Sequence, residues 1–313
     1  MKRTRLSYII YFLKNSYFVM KWKFFHIKKN CERFRGQKGI TLDYSSKVIE
    51  DYIKKGEPFC AIRFGGTELG CLNNYEKISF GWKKDYKRLV KYSMKNNAGF
   101  FPTEKEYLDR YSKLFLDRLQ YLDVLGIMGL HMEDYFHKKY CPNSKVVQYE
   151  AMEPLHSSWS KQLKGKKVLV VSPYKEEILN QYKKRERLFL DDPDILPEFD
   201  LQVLKCPMSL ADETISDYSS FEEALFSMEE EISRLDFDIA LIGAGAYGSL
   251  LTLYVKKLGK MAIQTGGATM TLFGIMGKRW ENRSHVSVHV NEDWIHPYSK
   301  PKGYEKVEGG CYW

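Results

Sequence analysis

The chain has 313 residues, with 49 Lys and Arg against 40 Asp and Glu, a formal net charge of +9. That length buries a sizeable core, as one large α/β domain or two smaller ones. The basicity is local: residues 1–40 hold seven Lys and four Arg against one acid, Glu32, so the remaining 273 residues sum to −1 and no nucleic-acid partner is expected.

Six cysteines, at 31, 60, 71, 141, 206 and 311, form no C-x-x-C pair and no metal-site spacing. No small-residue cleavage site follows the first apolar run, so the thiols read as those of a reduced, cytoplasmic protein. The opening stretch, MKRTRLSYIIYFLKNSYFVMKWKFFHIKKN, interleaves Lys and Arg with Tyr, Phe, Trp and Ile. Its longest apolar run, Leu6–Leu13, stops at Lys14, far short of the ~20 residues a membrane span needs. Basic and aromatic residues at helical spacing fit a helix made by residues 1–30 lying on an anionic membrane surface, peripheral to the inner face. The same aromatics equally fit packing on the body or on a partner subunit. Residues 1–42 are therefore set apart as a basic aromatic arm before an α/β domain of residues 43–313.

Ser45–Lys55 has the apolar spacing of a helix, with Val48, Ile49, Tyr52 and Ile53 on one face, and Glu57-Pro58 ends it. Phe59–Arg63 is a strand that runs into Phe64-Gly65-Gly66-Thr67-Glu68-Leu69. An Arg at a strand end suits a phosphate fork, and Glu68 suits a metal or an acceptor hydroxyl. The structural alternative is an Arg63–Glu68 pair bracing the turn. Asn96–Pro102 reads as a loop beside a pocket, Leu108–Leu119 as a helix and Asp123–Met128 as a strand. His131, Glu133 and Asp134 match no metal-site spacing and read as surface polar residues. Pro154 makes Glu150–Trp159 a loop or helix start, with Glu153 beside it and His156 read as a hydrogen-bonded structural histidine.

Lys166–Ser172 is a strand ended by Pro173, Lys175–Leu190 a helix, Leu201–Lys205 a strand and Phe221–Leu235 a long helix. Ile239–Ile242 is an apolar strand ending in Gly243-Ala244-Gly245-Ala246-Tyr247-Gly248. A helix over Ser249–Leu258, a strand over Met261–Gln264 and a second glycine turn, Thr265-Gly266-Gly267, follow. This is the order of a βαβ unit. Glycines at a strand end let backbone approach a ligand, and a helix N-terminus there favours phosphate, which implies a diphosphate-bearing ligand. The alternative is that these glycines permit tight helix–strand packing. A redox dinucleotide would place a carboxylate about 20 positions on, where this chain has only Ala262-Ile263-Gln264-Thr265. The alternation predicts a Rossmann-like α/β fold, a mostly parallel sheet with helices on both faces. Ligands in such sheets sit at the carboxyl ends of strands, where Arg63, Ser172, Gly245 and Gly266 fall.

Three groups of residues together resemble the GT-D-fold glycosyltransferases: Ala61 through Leu69; Val171-Ser172-Pro173-Tyr174 with Gln181-Tyr182 and Arg185-x-x-Leu188-Phe189; and Gly243 through Gly248. More closely, the chain is similar to a GT-D-like group of bacterial capsule and O-antigen polysaccharide proteins. Gly266-Gly267-Ala268-Thr269, Phe273-Gly274, Gly277-Lys278-Arg279-Trp280 and Val307-Glu308-Gly309-Gly310-Cys311-Tyr312-Trp313 resemble that group specifically. The likeness spans about residues 45–313.

The resemblance implies transfer of a sugar from a nucleotide-sugar donor to a polysaccharide or lipid-linked glycan acceptor. It makes Glu68 the acid/base or metal contact. It sets Arg63, Gly65, Gly66, Ser172, Gly243, Gly245, Gly248 and Gly266 around the donor diphosphate. Lys278 and Arg279 would stabilise the leaving diphosphate. Better-known members read Arg-Phe-Gly-Asp-Gly-Glu at the first motif, and their acids hold Mn2+ or Mg2+. Here Gly66 and Thr67 stand where the Asp and the following Gly would be, and Glu68 alone remains. One carboxylate holds such an ion poorly unless phosphates and water supply the other ligands. A non-catalytic nucleotide-sugar-binding or scaffold protein of the same pathway is the alternative.

Overall fold

Seven short segments, most of them apolar at their centres, lie side by side in the computed structural model, which describes residues 2–26, 31–208 and 218–313. A helix, α1 (Lys2–Phe25), and a two-stranded antiparallel hairpin, β1 (Arg33–Phe34) and β2 (Gln37–Lys38), come first. The sheet follows with β3 (Cys60–Arg63), β4 (Val124–Ile127), β5 (Lys145–Gln148), β6 (Lys167–Ser172), β7 (Asp200–Lys205), β8 (Ile239–Ile242) and β9 (Met261–Ile263). Its order is β5-β4-β3-β9-β8-β6-β7, and every pairing is parallel. The fold is thus α/β with an all-parallel sheet.

Side chains alternate between the two faces, as the period of a strand requires. Cys60 and Ile62, Leu125 and Ile127, and Leu169 and Val171 point into one core; Ala61, Val124, Val168 and Val170 point into the other. The first core is covered by α3 (Gly66–Ser79), α4 (Arg88–Ala98), α5 (Lys105–Arg118), α6 (Glu133–Tyr140), α9 (Phe221–Arg234) and α10 (Tyr247–Lys257). The second is covered by α2 (Leu42–Lys55), α7 (Lys175–Tyr182), α8 (Arg185–Leu188), α11 (Thr269–Leu272) and α12 (Ser284–Ser287). Helices on both faces explain why β3, β4, β8 and β9 carry almost no polar residue.

Four local expectations are corrected. The helix expected over Lys175–Leu190 is two helices, because the run Lys183–Arg187 is wholly charged and gives the middle of the segment nothing to bury. The last residues of α4 are Asn96–Ala98, not loop, and Gly99 ends the helix in the left-handed conformation. α10 begins at Tyr247, so Gly248 lies inside its first turn. Glu133 and Asp134 are buried, not surface residues. Glu133 accepts the N–H groups of Met128, Gly129 and Leu130 at 3.0, 2.9 and 3.2 Å, filling the turn after β4.

Asp134 ties down α1: it accepts from Asn15 Nδ2 at 2.8 Å and Lys14 Nζ at 3.2 Å. Tyr8, 2% exposed, packs edge-on against Phe80, Trp82 and Tyr135, and Arg5 donates to the Phe80 carbonyl at 2.8 Å. One face of α1 therefore packs on the body. The opposite face leaves Leu6, Ile9, Ile10, Leu13, Tyr17, Met20 and Phe24 exposed. Met1 and residues 27–30, the rest of the expected membrane-binding stretch, lie outside the described residues. Among the described residues no helix is long and apolar enough to cross a membrane.

Candidate functional site

Each sheet strand is followed at its carboxyl end by a residue that lines one cavity of about 540 Å³: Arg63 ends β3, and Met128, Tyr149, Pro173, Cys206, Gly243 and Gln264 come just after β4 to β9 in turn. A parallel sheet aims its strand ends and the following turns at one edge, so a site at that edge draws on the whole sheet. The volume is that of a pocket for a nucleotide-sized ligand. Segment 307–313 supplies a further wall through Val307, Glu308, Tyr312 and Trp313.

Of the residues expected at a site, Arg63, Gly65, Gly66, Glu68, Gly243, Gly245, Gly266 and Arg279 line this cavity. Ser172, Gly248 and Lys278 do not. Ser172 is buried, and its hydroxyl accepts the Tyr174 N–H at 3.3 Å. Gly248 packs on Gln264, whose Nε2 would stand 3.2 Å from an added Cβ. Lys278 is exposed to solvent.

Arg63 is held by its surroundings. Its backbone N–H donates to Gln264 Oε1 at 3.0 Å, its Nη1 reaches Met128 Sδ at 3.7 Å, and its Nη2 lies against Gly266. Arg279 donates to Tyr312 Oη at 3.1 Å, pairs with Glu308, and lies over the Tyr312 ring with its guanidinium carbon 4.8 Å from the centroid. No ion pair joins Arg63 to Glu68 among the described residues, so the bracing pair considered from sequence is not formed. Instead the Glu68 carboxylate, in the first turn of α3, folds over Gly65, in space that any Cβ there would fill.

In the first glycine turn Gly243 is closely packed and, with Gly245, also lines the cavity. A Cβ on Gly243 would stand 2.4 Å from Thr269 Oγ1 and 2.5 Å from the Gly266 carbonyl, so the two glycine turns touch. Gly245 has φ +51°, the left-handed region that favours glycine. The N–H groups of Ala246, Tyr247 and Gly248 already donate to the carbonyls of Ala98, Ala244 and Gly245. Arg63, Arg279 and Arg283 line the same cavity and bring guanidinium groups that can meet an anion there.

Three further residues that line the cavity form a second cluster: Glu153, His156 and His285. The rings of His156 and His285 stack with centroids 3.5 Å apart, and Glu153 Oε2 lies 3.7 Å from His156 Nε2 and 4.0 Å from His285 Nε2. Burial pushes Glu153 up to about 7; the nearby guanidiniums of Arg63, Arg279 and Arg283 oppose this, and Glu150 adds to it. His156 is pushed down to about 4 by burial, by His285 and by the charge of Arg283, and His285 is lowered by burial and by Arg283. His156 is therefore not an isolated structural histidine. Sequence reasoning singled out neither His285 nor Arg283. The signal it did hold was Glu153-Pro154-Leu155-His156, a turn with Pro at its second position that sets its first and fourth side chains together.

The resemblance implies Mn2+ or Mg2+ at Glu68. The residues present do not fit it: Gly66 and Thr67 bring no carboxylate, and Glu68 belongs to no group of three metal-ligating side chains among the described residues. No step is routed through an ion there.

The chain matches no sequence-family model and no curated protein. It is similar to solved structures. One is the highly conserved domain of unknown function 1792, described as having a distinct glycosyltransferase fold, at TM-score 0.42 and 13% identity over 85% of this chain and 98% of that one. Another is a glycosyltransferase with this domain from Streptococcus sanguinis, at TM-score 0.39 and 13% identity over 85% of this chain and 96% of that one. The likeness is one of fold.

Proposed function

We propose that this chain is a glycosyltransferase that moves a sugar from a nucleotide-sugar donor to a polysaccharide or lipid-linked glycan acceptor. The observation that carries the reading is the gathering of Arg63, Arg279 and Arg283 around one cavity at the carboxyl ends of a parallel sheet. Guanidinium forks match phosphate oxygens in pairs and keep their charge at any working pH. In the transfer, the anomeric carbon leaves the donor diphosphate and bonds to the acceptor oxygen, whose proton goes to a base. Charge builds on the diphosphate oxygens, and Arg63 and Arg279 would stabilise it there. Glu68 lines the same cavity and is the acid/base of this reading. The sequence resemblance over residues 45–313 supports the same class.

The test is a thermal-shift screen of the full chain with UDP-, GDP-, CMP- and dTDP-sugars. A true donor at about 100 times its dissociation constant adds about 2.7 kcal/mol to stability, and Arg63→Ala abolishes that gain. No shift with any of them, or an equal shift in Arg63→Ala, overturns the reading. A non-catalytic donor-binding protein is the second reading, favoured by Gly66 standing where the resembled motif has its Asp. A shift without turnover on any acceptor selects it.

We also propose that the exposed face of α1 rests on an anionic membrane, where a lipid-linked acceptor would be presented. Its apolar residues recur at helical spacing on the side away from the body, with Lys21 and Lys23 in the last turns. Apolar burial and attraction to anionic headgroups act together in such a helix.

A further inference from the structure

We propose that Glu153, His156 and His285 form a site for one imidazole-seeking divalent ion of the zinc class, in the wall of the cavity and apart from Glu68. Two neutral imidazoles and a carboxylate are the ligand set of a zinc site that keeps a fourth position open. Ligand atoms around a tetrahedral ion with bonds of about 2.0–2.2 Å stand about 3.3–3.6 Å apart. The candidate atoms here all lie within 4.8 Å of one another, with the carboxylate–imidazole pairs at 3.7 and 4.0 Å. The two rings stack at 3.5 Å with 27° between their planes, so binding requires them to turn out of the stack until both imidazole lone pairs point at one ion. Nitrogen ligands favour Zn2+ and Co2+ over Mg2+, which takes oxygen.

The ligands come from two anchored segments. Glu153 and His156 sit on a turn closed by the His156 N–H to the Glu153 carbonyl at 3.2 Å. That turn is fixed by the fully buried Trp159, whose indole N–H donates to the Ala151 carbonyl at 3.0 Å. His285 lies on α12, which is pinned by the buried Val286. All three side chains are between a fifth and a quarter exposed and line the cavity, so an open ligand position faces it.

Charge decides how such an ion behaves. With a doubly charged ion the cluster carries +1, beside Arg63, Arg279 and Arg283, whose charges all reach Glu153. The ion is therefore held weakly by the protein alone and more tightly when an anion fills the space between. On the donor-binding reading, that anion is a diphosphate.

The test is titration of the full, untagged chain with Co2+, read by its visible d–d absorption, with Zn2+ competition. One Co2+ per chain should bind in a low-symmetry nitrogen–oxygen site and be displaced by Zn2+ but not by a large excess of Mg2+. His285→Ala and Glu153→Gln should each weaken binding at least tenfold, and Glu68→Gln should leave it unchanged, with circular dichroism showing each variant folded. Absence of the band in the parent chain, or an unaltered band in the His156→Ala/His285→Ala double variant, overturns the site. UDP is then added to the Co2+ titration. Tighter Co2+ binding supports the coupling to diphosphate. Unchanged Co2+ affinity leaves the ion site standing and overturns the coupling, which rests on the donor-binding reading.

Discussion

Gln264 Oε1 accepts the backbone N–H of Arg63 at 3.0 Å, and the Ser249 hydroxyl donates to the same oxygen at 3.1 Å. One amide thus ties β3 to the turn after β9 and to α10. It stands near where a redox dinucleotide fold needs a ribose-gripping carboxylate, and it is 6% exposed and committed to structure. Replacing it tests whether Arg63 depends on that tie. Gln264→Leu leaves the Arg63 N–H unpaired, which costs roughly 1–3 kcal/mol. Gln264→Glu keeps an acceptor, so urea denaturation should rank it above the Leu variant in stability. Equal midpoints would remove this hydrogen bond as the reason for the residue.

The two glycines after β8 make different demands. Gly243→Ala drives a Cβ to 2.5 Å from the Gly266 carbonyl, which is backbone and cannot rotate away. Overpacking of this kind costs about 1–3 kcal/mol or more. Gly245→Ala meets only the Ala98 carbonyl, at 3.3 Å, and strains a left-handed φ at roughly 1–2 kcal/mol. Gly243→Ala should be the less stable of the two by chemical denaturation. The opposite ranking would show that contact between the glycine turns is not what Gly243 provides.

The sheet was legible in the sequence because a strand buried on both faces must be a short apolar run, and Ile239–Ile242, Val168–Val171 and Ala61-Ile62 are such runs. The arginine at the end of β3 was legible for the same reason, since the next residue after a buried strand end faces the site edge. The break at Lys183-Lys184 was overlooked because Tyr182, Leu188 and Phe189 keep helical spacing across it. Burial of Glu133 was hidden because its three partners are backbone N–H groups, which no side-chain pattern reveals. His285 joins His156 only through the packing of α12 against the opposite segment, a long-range contact with no local spacing to announce it.

Buried His137 gives a pH signature. Burial, then the charge of Arg35, lower it from its ordinary 6.5, while a bond to the Ser144 carbonyl and the charge of Asp134 oppose this. The unfolded chain therefore takes up this proton first as pH falls. The associated stability is present above about pH 6.5 and is lost as pH drops below it. Between pH 7.5 and 5.5 the melting temperature of the parent chain should fall more than that of His137→Gln. Parallel curves would show that His137 contributes nothing to acid sensitivity.

The outward face of α1 predicts where charge is tolerated. Leu13 is 64% exposed, so Leu13→Glu should leave the unfolding free energy within about 0.5 kcal/mol of the parent. The same change places a negative charge on the face proposed to meet anionic lipid. Co-sedimentation with phosphatidylserine vesicles should fall several-fold in Leu13→Glu and fall in the parent as salt rises, because surface attraction is screened within about 8–10 Å. Sedimentation that is insensitive to both would assign the face to some other partner.

Glu68 is the last test, because the transfer reading makes it the acid/base and it has no ion-pair partner among the described residues. Glu68→Gln keeps the shape that folds over Gly65 and removes the charge. If Glu68 takes the acceptor proton, turnover should drop about 100-fold or more, the scale of a positioned acid or base. The donor-induced rise in melting temperature should persist, because Arg63 and Arg279 are untouched. If Glu68 serves only the first turn of α3, its interaction with the helix dipole is worth roughly 0.3–1 kcal/mol. The variant would then melt slightly earlier and turn over at nearly the parent rate. Full turnover in Glu68→Gln would take the residue out of the chemistry and move the search for the base to other cavity residues.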